Sequence, residues 1–197
     1  MIQHALLSAS AAHRWLHCTA APRLEAEFPD TTSEYAREGT LAHAIAELKV
    51  RKYAVEPMSQ SAFNKVYNKL KKDELYQSEM DGYTNDYLDY VKTVMLQYDV
   101  RPHVVLEKRV DFSAYVPEGF GTADCIIMAG DVLHIIDFKY GKGVPVDAVG
   151  NPQMRLYALG ALAAYGMLYT FTSVVMHIVQ PRINNYSTDT MPVPTLI

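Results

Sequence analysis

The sequence predicts an α/β (α+β) fold, with a mixed central β-sheet flanked by helices and a helical N-terminal region. Apolar residues recur at helical spacing up to residue 100, and short β-branched segments bounded by turn residues begin at 103. The predicted order from there is three strands, a helix and a strand. We therefore expect one domain at 1–182, mainly helical over 1–100 with a sheet core over 103–182, and an irregular tail at 183–197.

The first hundred residues contain four predicted helices. In the second, Leu41, Ile45 and Leu48 follow one another at spacings of four and three, which places them on one face. The helix that contains the tyrosine-rich stripe is expected to stop before a proline, which cannot continue it. The four predictions are Ser8–His17, a helix starting near Ser33 or Thr40, Ser59–Lys72, and a helix ending at Arg101–Pro102.

The second half has the pattern of a sheet. Three residues, Ala129 to Asp131, separate the second and third strand segments and predict a tight hairpin. After a loop at 141–150, Asn151 is expected to cap a helix whose first residue is Pro152. The predicted strands are 103–112, 121–128, 132–139 and 172–181, the helix is 153–166, and the segment after Arg182 is expected to be a loop.

Composition narrows the functional class. The chain has 197 residues and a net charge of −4, which counts modestly against a DNA partner but is compatible with a local basic groove. No apolar run approaches the roughly 18 residues of a membrane span, and the N-terminus lacks a signal-peptide pattern, so a cytosolic location is expected. Only Cys18 and Cys125 are present. They exclude a disulfide framework, a cysteine-based zinc site and a four-cysteine iron–sulfur cluster within this chain.

Two opposite charges end the third predicted strand, in the segment HIIDFKYGKG. Residues two apart on a strand point to the same side, so Asp137 and Lys139 can converge on one ligand. Glu47 and Lys49 have the same spacing on a predicted helix, where about 200° separates them, and cannot converge. The hairpin would bring a second carboxylate, Asp124, beside Asp137.

Such a pair of carboxylates suits a metal. At roughly 5 Å they repel by about 3 kcal/mol at an effective dielectric near 20. A Mg²⁺ ion would turn that repulsion into affinity. The nearby lysine could orient or deprotonate a water molecule, or offset charge in the transition state of phosphodiester hydrolysis. The alternative is an Asp137–Lys139 ion pair of little energetic value, with Asp124 capping a turn.

Two helical pairs add to this set. His43 and Glu47 lie four apart and share a helix face, as do Gln153 and Tyr157 near the start of the later helix. A helix N-terminus favours anions, and a glutamine and tyrosine there suit a phosphate. Structural roles are the alternative for each pair.

In order, the segments GTLAH, GTAD, DFK and QMRLY resemble the RecB-like branch of the PD-(D/E)XK nuclease superfamily. That branch carries a G-x-x-x-H helix, a G-x-x-D strand, a D-x-K strand and a Q-x-x-x-Y helix in this order. The resemblance spans roughly residues 35–182. SASAAHRWLHC and IVQPR are also similar to an uncharacterised phage and prophage group of RecB-nuclease-like proteins, whose members often run longer past the QPR segment.

The resemblance implies a restriction-endonuclease-like core and a Mg²⁺ or Mn²⁺ site without an iron–sulfur cluster. Asp124, Asp137 and Lys139 would be catalytic, and the metal ligands would be His43, Asp124, Asp137 and the backbone carbonyl of Phe138.

The resemblance also implies that Gln153 and Tyr157 contact the DNA backbone or support the site. Beside it, the residues themselves suggest two further groups. Lys142 and Arg155 could present positive charge to phosphates. Glu47 and Glu107 are weaker acidic candidates, and a solvated strand charge is the alternative for Glu107.

The expected function is a metal-dependent deoxyribonuclease, an exonuclease by preference, acting in phage recombination or DNA processing in the cytoplasm of a bacterial host. Expected partners are DNA, a phage recombination or single-strand-annealing protein, and further copies of the chain, with no membrane. A catalytically inactive nucleic-acid-binding or assembly protein that keeps the fold is the alternative. A structural phage protein with an incidental ion pair is the third interpretation, and it predicts no stabilisation by a divalent metal.

Overall fold

A computed structural model describes residues 5–28 and 33–197. The helical region begins with a 3₁₀ turn at Ala9–Ala11, followed by α1 (Ala12–His17), α2 (Ala21–Glu25), α3 (Glu34–Val50), a π-helical turn (Arg51–Val55), α4 (Gln60–Leu70) and α5 (Glu79–Met95). The second half contains β1 (His103–Asp111), β2 (Phe120–Ala129), β3 (Val132–Phe138), α6 (Pro152–Tyr165), β4 (Ser173–Gln180), a 3₁₀ turn (Pro181–Ile183), β5 (Asn185–Pro192) and α7 (Val193–Leu196).

The five strands of the described residues form one mixed sheet, in the order β1-β2-β3-β4-β5. The β1–β2, β2–β3 and β4–β5 pairs are antiparallel, and β3–β4 is parallel with α6 as the crossover. One buried cluster packs α6 and the N-terminal turn against the sheet. A second cluster packs α3 and α5 against it. The predicted mixed sheet flanked by helices, with a helical N-terminal region, is therefore confirmed.

Side-chain caps fix where three helices start. Ser33 Oγ accepts the amide of Ala36 at 3.2 Å, so α3 starts after Ser33 rather than near Thr40. Ser59 caps α4 in the same way. Asn151 Oδ1 accepts the Met154 amide at 3.3 Å, and a proline occupies the first turn, as predicted for α6.

Several details of the predicted elements differ in the structure. Helix α5 ends at Met95, six residues before Arg101, whose side chain donates to the carbonyls of Tyr53 and Ala54 at 3.2 and 3.1 Å. Helix α2 was not predicted, since its five residues are too few to show a period. The β2–β3 hairpin has a two-residue loop, because Ala129 itself pairs with Val132.

The prediction of an irregular tail after Arg182 was wrong. Residues 185–192 form β5, which pairs with β4 along its whole length, and a short helix follows. The segment is mostly polar, so it lacks the apolar alternation that marks a strand. Hydrogen bonds fix it on one side: Ser187 Oγ accepts from the Ala148 amide at 2.9 Å, and Asp189 accepts from the Gly150 amide at 3.3 Å.

Within residues 5–28 and 33–197, every helix falls short of the length and apolarity that a membrane crossing requires.

Candidate metal centre

A hydrogen-bonded network joins the end of β3 to the first turns of α6. Lys139 Nζ lies 3.0 Å from Asp137 Oδ2 and donates to Gln153 Oε1 at 3.0 Å. Gln153 Nε2 lies 3.2 Å from Asp137 Oδ1 and 3.1 Å from the Tyr157 hydroxyl. The Lys139 contact to Oδ2 is an ion pair, and among the described residues no hydrogen-bond donor is assigned to this buried oxygen, so it keeps acceptor capacity. Gln153 therefore holds the lysine and the aspartate in one geometry.

Burial and charge act in opposite directions on this pair. Burial raises the pKa of Asp137, and the Asp124 carboxylate adds to the effect while Lys139 opposes it. Burial alone would lower the pKa of Lys139, but Asp137 more than offsets this and raises it. The buried carboxylate of Asp137 thus pairs with the ammonium of Lys139. This agrees with the convergence predicted from the Asp-x-Lys spacing.

Asp124 connects the network to α3. Its Oδ2 accepts from the Phe138 amide at 2.8 Å, and its Oδ1 lies 3.4 Å from His43 Nδ1. Burial disfavours the charged form, yet His43 and the amide outweigh burial and lower the pKa of Asp124. His43 loses hydration too, but the same carboxylate raises its pKa to about 9. The structure thus assigns a partner to the Phe138 amide, and the role of its carbonyl stays a prediction.

Glu107 lies across from Asp124 in an irregular part of the sheet. The pairs Leu106–Cys125 and Lys108–Ala123 flank it, but Glu107 and Asp124 do not pair. The backbone φ of Glu107 is 48°, in the left-handed region that non-glycine residues seldom adopt. Strain of this kind concentrates at functional sites.

Three side chains then converge. His43, Glu107 and Asp124 each offer one ligand atom, and these atoms all lie within 4.8 Å of one another. Reduced hydration and the neighbouring Asp124 raise the pKa of Glu107 to about 7, although solvent still reaches the side chain. One imidazole and two carboxylates form a donor set that suits a divalent cation such as Mn²⁺ or Mg²⁺. Glu107, a weaker candidate by sequence, is thus nearer to His43 and Asp124 than its position in the chain suggested.

The other predicted residues take up different positions. Glu47 forms an ion pair with Arg51, four residues further on, at the start of the π-helical turn. Tyr157 is buried against β2 and lies beside Gln153. Arg155 is exposed and lies 4.0 Å from Asp189 on β5, and Lys142 is exposed in the β3–α6 loop. The buried position of Tyr157 favours support of the site over contact with the DNA backbone.

A family model described as "Protein of unknown function (DUF2800)" matches residues 4–197. The chain belongs to this family. Among solved structures, it is similar to one titled "Crystal structure of SSO0001", at 14% identity and a TM-score of 0.31. That match covers 77% of this chain and 65% of the other.

Two residues of this DUF2800 chain that sequence reasoning did not single out hold the surroundings of the site. Gln180 donates to the carbonyls of Gly141 and Val144 at 2.8 and 3.2 Å, and accepts from the Val146 amide at 3.1 Å. It fixes the loop that follows Lys139. The side chain of Arg182, 7% exposed, forms ion pairs with Glu38 and Glu79 and links α3 to α5. Both residues lie in the IVQPR segment, whose similarity to the phage group was the feature of the sequence that could have identified them.

Proposed function

We propose that this DUF2800 chain is a metal-dependent deoxyribonuclease. The observation that carries the proposal is the convergence of two acidic residues and a histidine beside a third carboxylate, the buried Asp137, with its own lysine. Five ionisable groups in so small a volume are costly without a ligand, because like charges repel and buried charges lose hydration. A divalent cation would offset much of that cost.

His43, Glu107 and Asp124 would hold the metal, with Asp137 as the acidic residue predicted to join them. The metal would supply Lewis-acid stabilisation and a more acidic bound water. Lys139, held by Asp137 and Gln153, lies at the edge of the same site. It would orient the attacking water or offset charge on the phosphate. The order of the four motifs, similar to that of RecB-like nucleases, supports DNA as the substrate.

The test uses labelled linear and circular DNA, single- and double-stranded, with Mg²⁺ or Mn²⁺. We expect cleavage by the wild type that stops on chelation and in Lys139→Ala. Lys142→Ala is the matched control, because it removes the same charge from an exposed loop position three residues away. It should retain metal-dependent cleavage even if DNA affinity falls. Faster loss of linear than circular DNA would indicate an exonuclease.

Lys139→Ala leaves Asp137 without its ion-pair partner, so its fold is checked by circular dichroism. Lys139→Arg keeps the positive charge and tests the chemistry separately: a folded Lys139→Arg protein that has lost cleavage would show that charge alone is insufficient. Wild-type protein that binds DNA but cleaves none of the four substrates would refute the nuclease and leave the nucleic-acid-binding alternative.

A further inference from the structure

A cavity of about 590 Å³ opens between α3, the π-helical turn, α4 and α5. It lies apart from the candidate metal centre: Lys49 on its wall follows His43 by six residues in α3, about 9 Å along the helix axis. The volume is within the range of small-molecule sites. Its lining residues are Lys49, Lys52, Tyr53, Phe63, Tyr67, Asp81, Asn85, Leu88 and Lys92.

Most of the apolar lining of this cavity is aromatic. Three of the nine lining residues carry aromatic rings, and Leu88 is the one aliphatic side chain among them. Tyr53, on the π-helical turn, is 40% exposed, and Phe63 on α4 is half-buried. Flat aromatic surfaces favour a flat ring, because stacking uses the whole face of each partner. An aliphatic chain would gain less from such walls.

Three lysines make the cavity locally positive in a chain of net charge −4. Lys49 donates to the Asp81 carbonyl, Thr84 and Asn85 at 2.9, 2.7 and 2.7 Å, so its ammonium is engaged within the protein. The carboxylate of Asp81 accepts from Tyr67 and Tyr76 and forms its ion pair with Lys71, at 3.5 Å, rather than with Lys49. The positive charge on this wall is therefore not cancelled by a direct carboxylate contact.

The two lysines at the rim have exposed partners that an incoming anion can replace, and the partner of Lys52 is Gln60 Oε1. Lys52 Nζ lies 4.6 Å from the centre of the Phe63 ring, and Lys92 Nζ lies 5.3 Å from that of Tyr53. Lys92 also pairs with Asp89 at 2.8 Å, but that ion pair is largely exposed and competes weakly with a phosphate. Each ring thus has a lysine ammonium over one face, and Tyr67 is stacked with Phe63 at 5.3 Å between ring centres.

We infer that this cavity binds a nucleotide, with the base stacked on Phe63 or Tyr53 and the phosphate held by Lys52 and Lys92. A free nucleotide and a nucleotide within a strand both present this combination of a base and a phosphate. The π-helical turn supports the inference, because such turns recur at functional sites and this one supplies both Lys52 and Tyr53. The inference holds whether or not the chain cleaves DNA.

The test is calorimetric titration of the full chain in a chelating buffer, which removes any metal-dependent binding. We expect deoxyadenosine 5′-monophosphate to bind at least about tenfold more tightly than deoxyadenosine or inorganic phosphate alone, because both the stacking and the charge contribute. A five-nucleotide oligothymidylate that binds more tightly than the mononucleotide would identify a strand as the source, and the reverse would identify a free nucleotide.

The variants locate the binding. Phe63→Ala and Lys52→Gln should each weaken mononucleotide binding roughly tenfold. Tyr115→Ala and Lys65→Gln are matched controls at exposed positions and should leave the affinity unchanged. Should the half-buried Phe63 variant fail to fold, Lys52→Gln and the ligand series still decide the question.

Three results would overturn the inference. They are no mononucleotide binding, binding that neither variant alters, or tighter binding of decanoate that Phe63→Ala abolishes, which would make the cavity a lipid site. Lys139→Ala should bind the mononucleotide like the wild type. Loss of cleavage with binding retained would thus separate the two proposals.

Discussion

Gly39 of the GTLAH segment and Gly121 of the GTAD segment should respond in opposite ways to substitution by alanine, one with a gain and the other with a loss of stability. A Cβ at Gly121 would lie 2.7 Å from Cε1 of Tyr157 and 3.2 Å from Cβ of Ala9. The first distance is about 0.7 Å short of the 3.4 Å at which contact becomes ordinary. Tyr157 is 5% exposed and has little space to move away. Gly121→Ala should therefore destabilise the fold by about 1–3 kcal/mol, the usual cost of overpacking.

Gly39 is the matched control. Apart from its chain neighbours and the backbone of its own helix, no heavy atom of the described residues lies within 4 Å of a Cβ built there, and the residue lies inside α3. Gly39→Ala should stabilise the protein by about 0.5–1 kcal/mol, because the unfolded chain loses freedom and the helix gains a better former. At roughly 2–4 °C per kcal/mol for a chain of this size, thermal and urea denaturation should separate the two variants clearly.

The Gly121→Ala and Gly39→Ala variants also test how Tyr157 supports the site. Tyr157 lies 3.1 Å from Gln153 Nε2, so a displaced ring would disturb the residue that positions Lys139. Cleavage should fall in Gly121→Ala and persist in Gly39→Ala. An unchanged midpoint for Gly121→Ala would refute the packing argument, and equal destabilisation of both variants would refute the explanation for Gly39.

Three further outcomes are expected. Burial lowers the pKa of His134 to about 4. Between pH 6.5 and pH 4 its imidazole is therefore protonated in the unfolded chain but not in the folded chain. The free energy of unfolding should fall by about 3 kcal/mol as the pH drops from 6.5 to 4. The urea midpoint of His134→Gln should decline less steeply than those of the wild type and of the exposed control His13→Gln, and parallel declines would contradict this. Mn²⁺ at 100 times its Kd should stabilise the wild type by about 2.7 kcal/mol; Asp124→Asn should lose the thermal shift, and an undiminished shift would place the metal elsewhere. Gln180→Ala removes the bonds that hold the 141–150 loop, so amide exchange in that loop should accelerate, corresponding to about 1–3 kcal/mol of lost protection, whereas unchanged exchange would show that other contacts suffice.

The parts of the site that the sequence predicted are those that depend on local geometry. Asp137 and Lys139 share a side because alternation is a property of any strand. Gln153 and Tyr157 meet because four residues make about one helical turn. The start of α6 could be predicted from the side chains of Asn151 and Pro152 alone.

Glu107 shows why the remainder could not be predicted. Its approach to Asp124 depends on the β1–β2 register, which is set across the eight-residue connection 112–119 and which hydrophobic alternation did not determine. It also depends on a left-handed φ that a glutamate seldom adopts. For β5, pairing with β4 and contacts from the 141–150 loop take the place of an apolar face, and both come from distant parts of the chain.

The strand order also bears on how the chain folds. The strands are neighbours in the sheet in the same order as along the chain. Each strand from β2 to β5 can therefore pair with the strand that precedes it in the chain. Of these, β4 pairs only after the long crossover that contains α6. Closing short loops costs less entropy than closing long ones, so the β1–β2–β3 meander can form before α6 docks. During that interval Asp124 and Asp137 are already adjacent while Gln153 is still distant. The docking of α6 would then complete one of the two buried clusters and bring Gln153 to Asp137 and Lys139, whereas His43 reaches the site with α3, which packs in the other cluster.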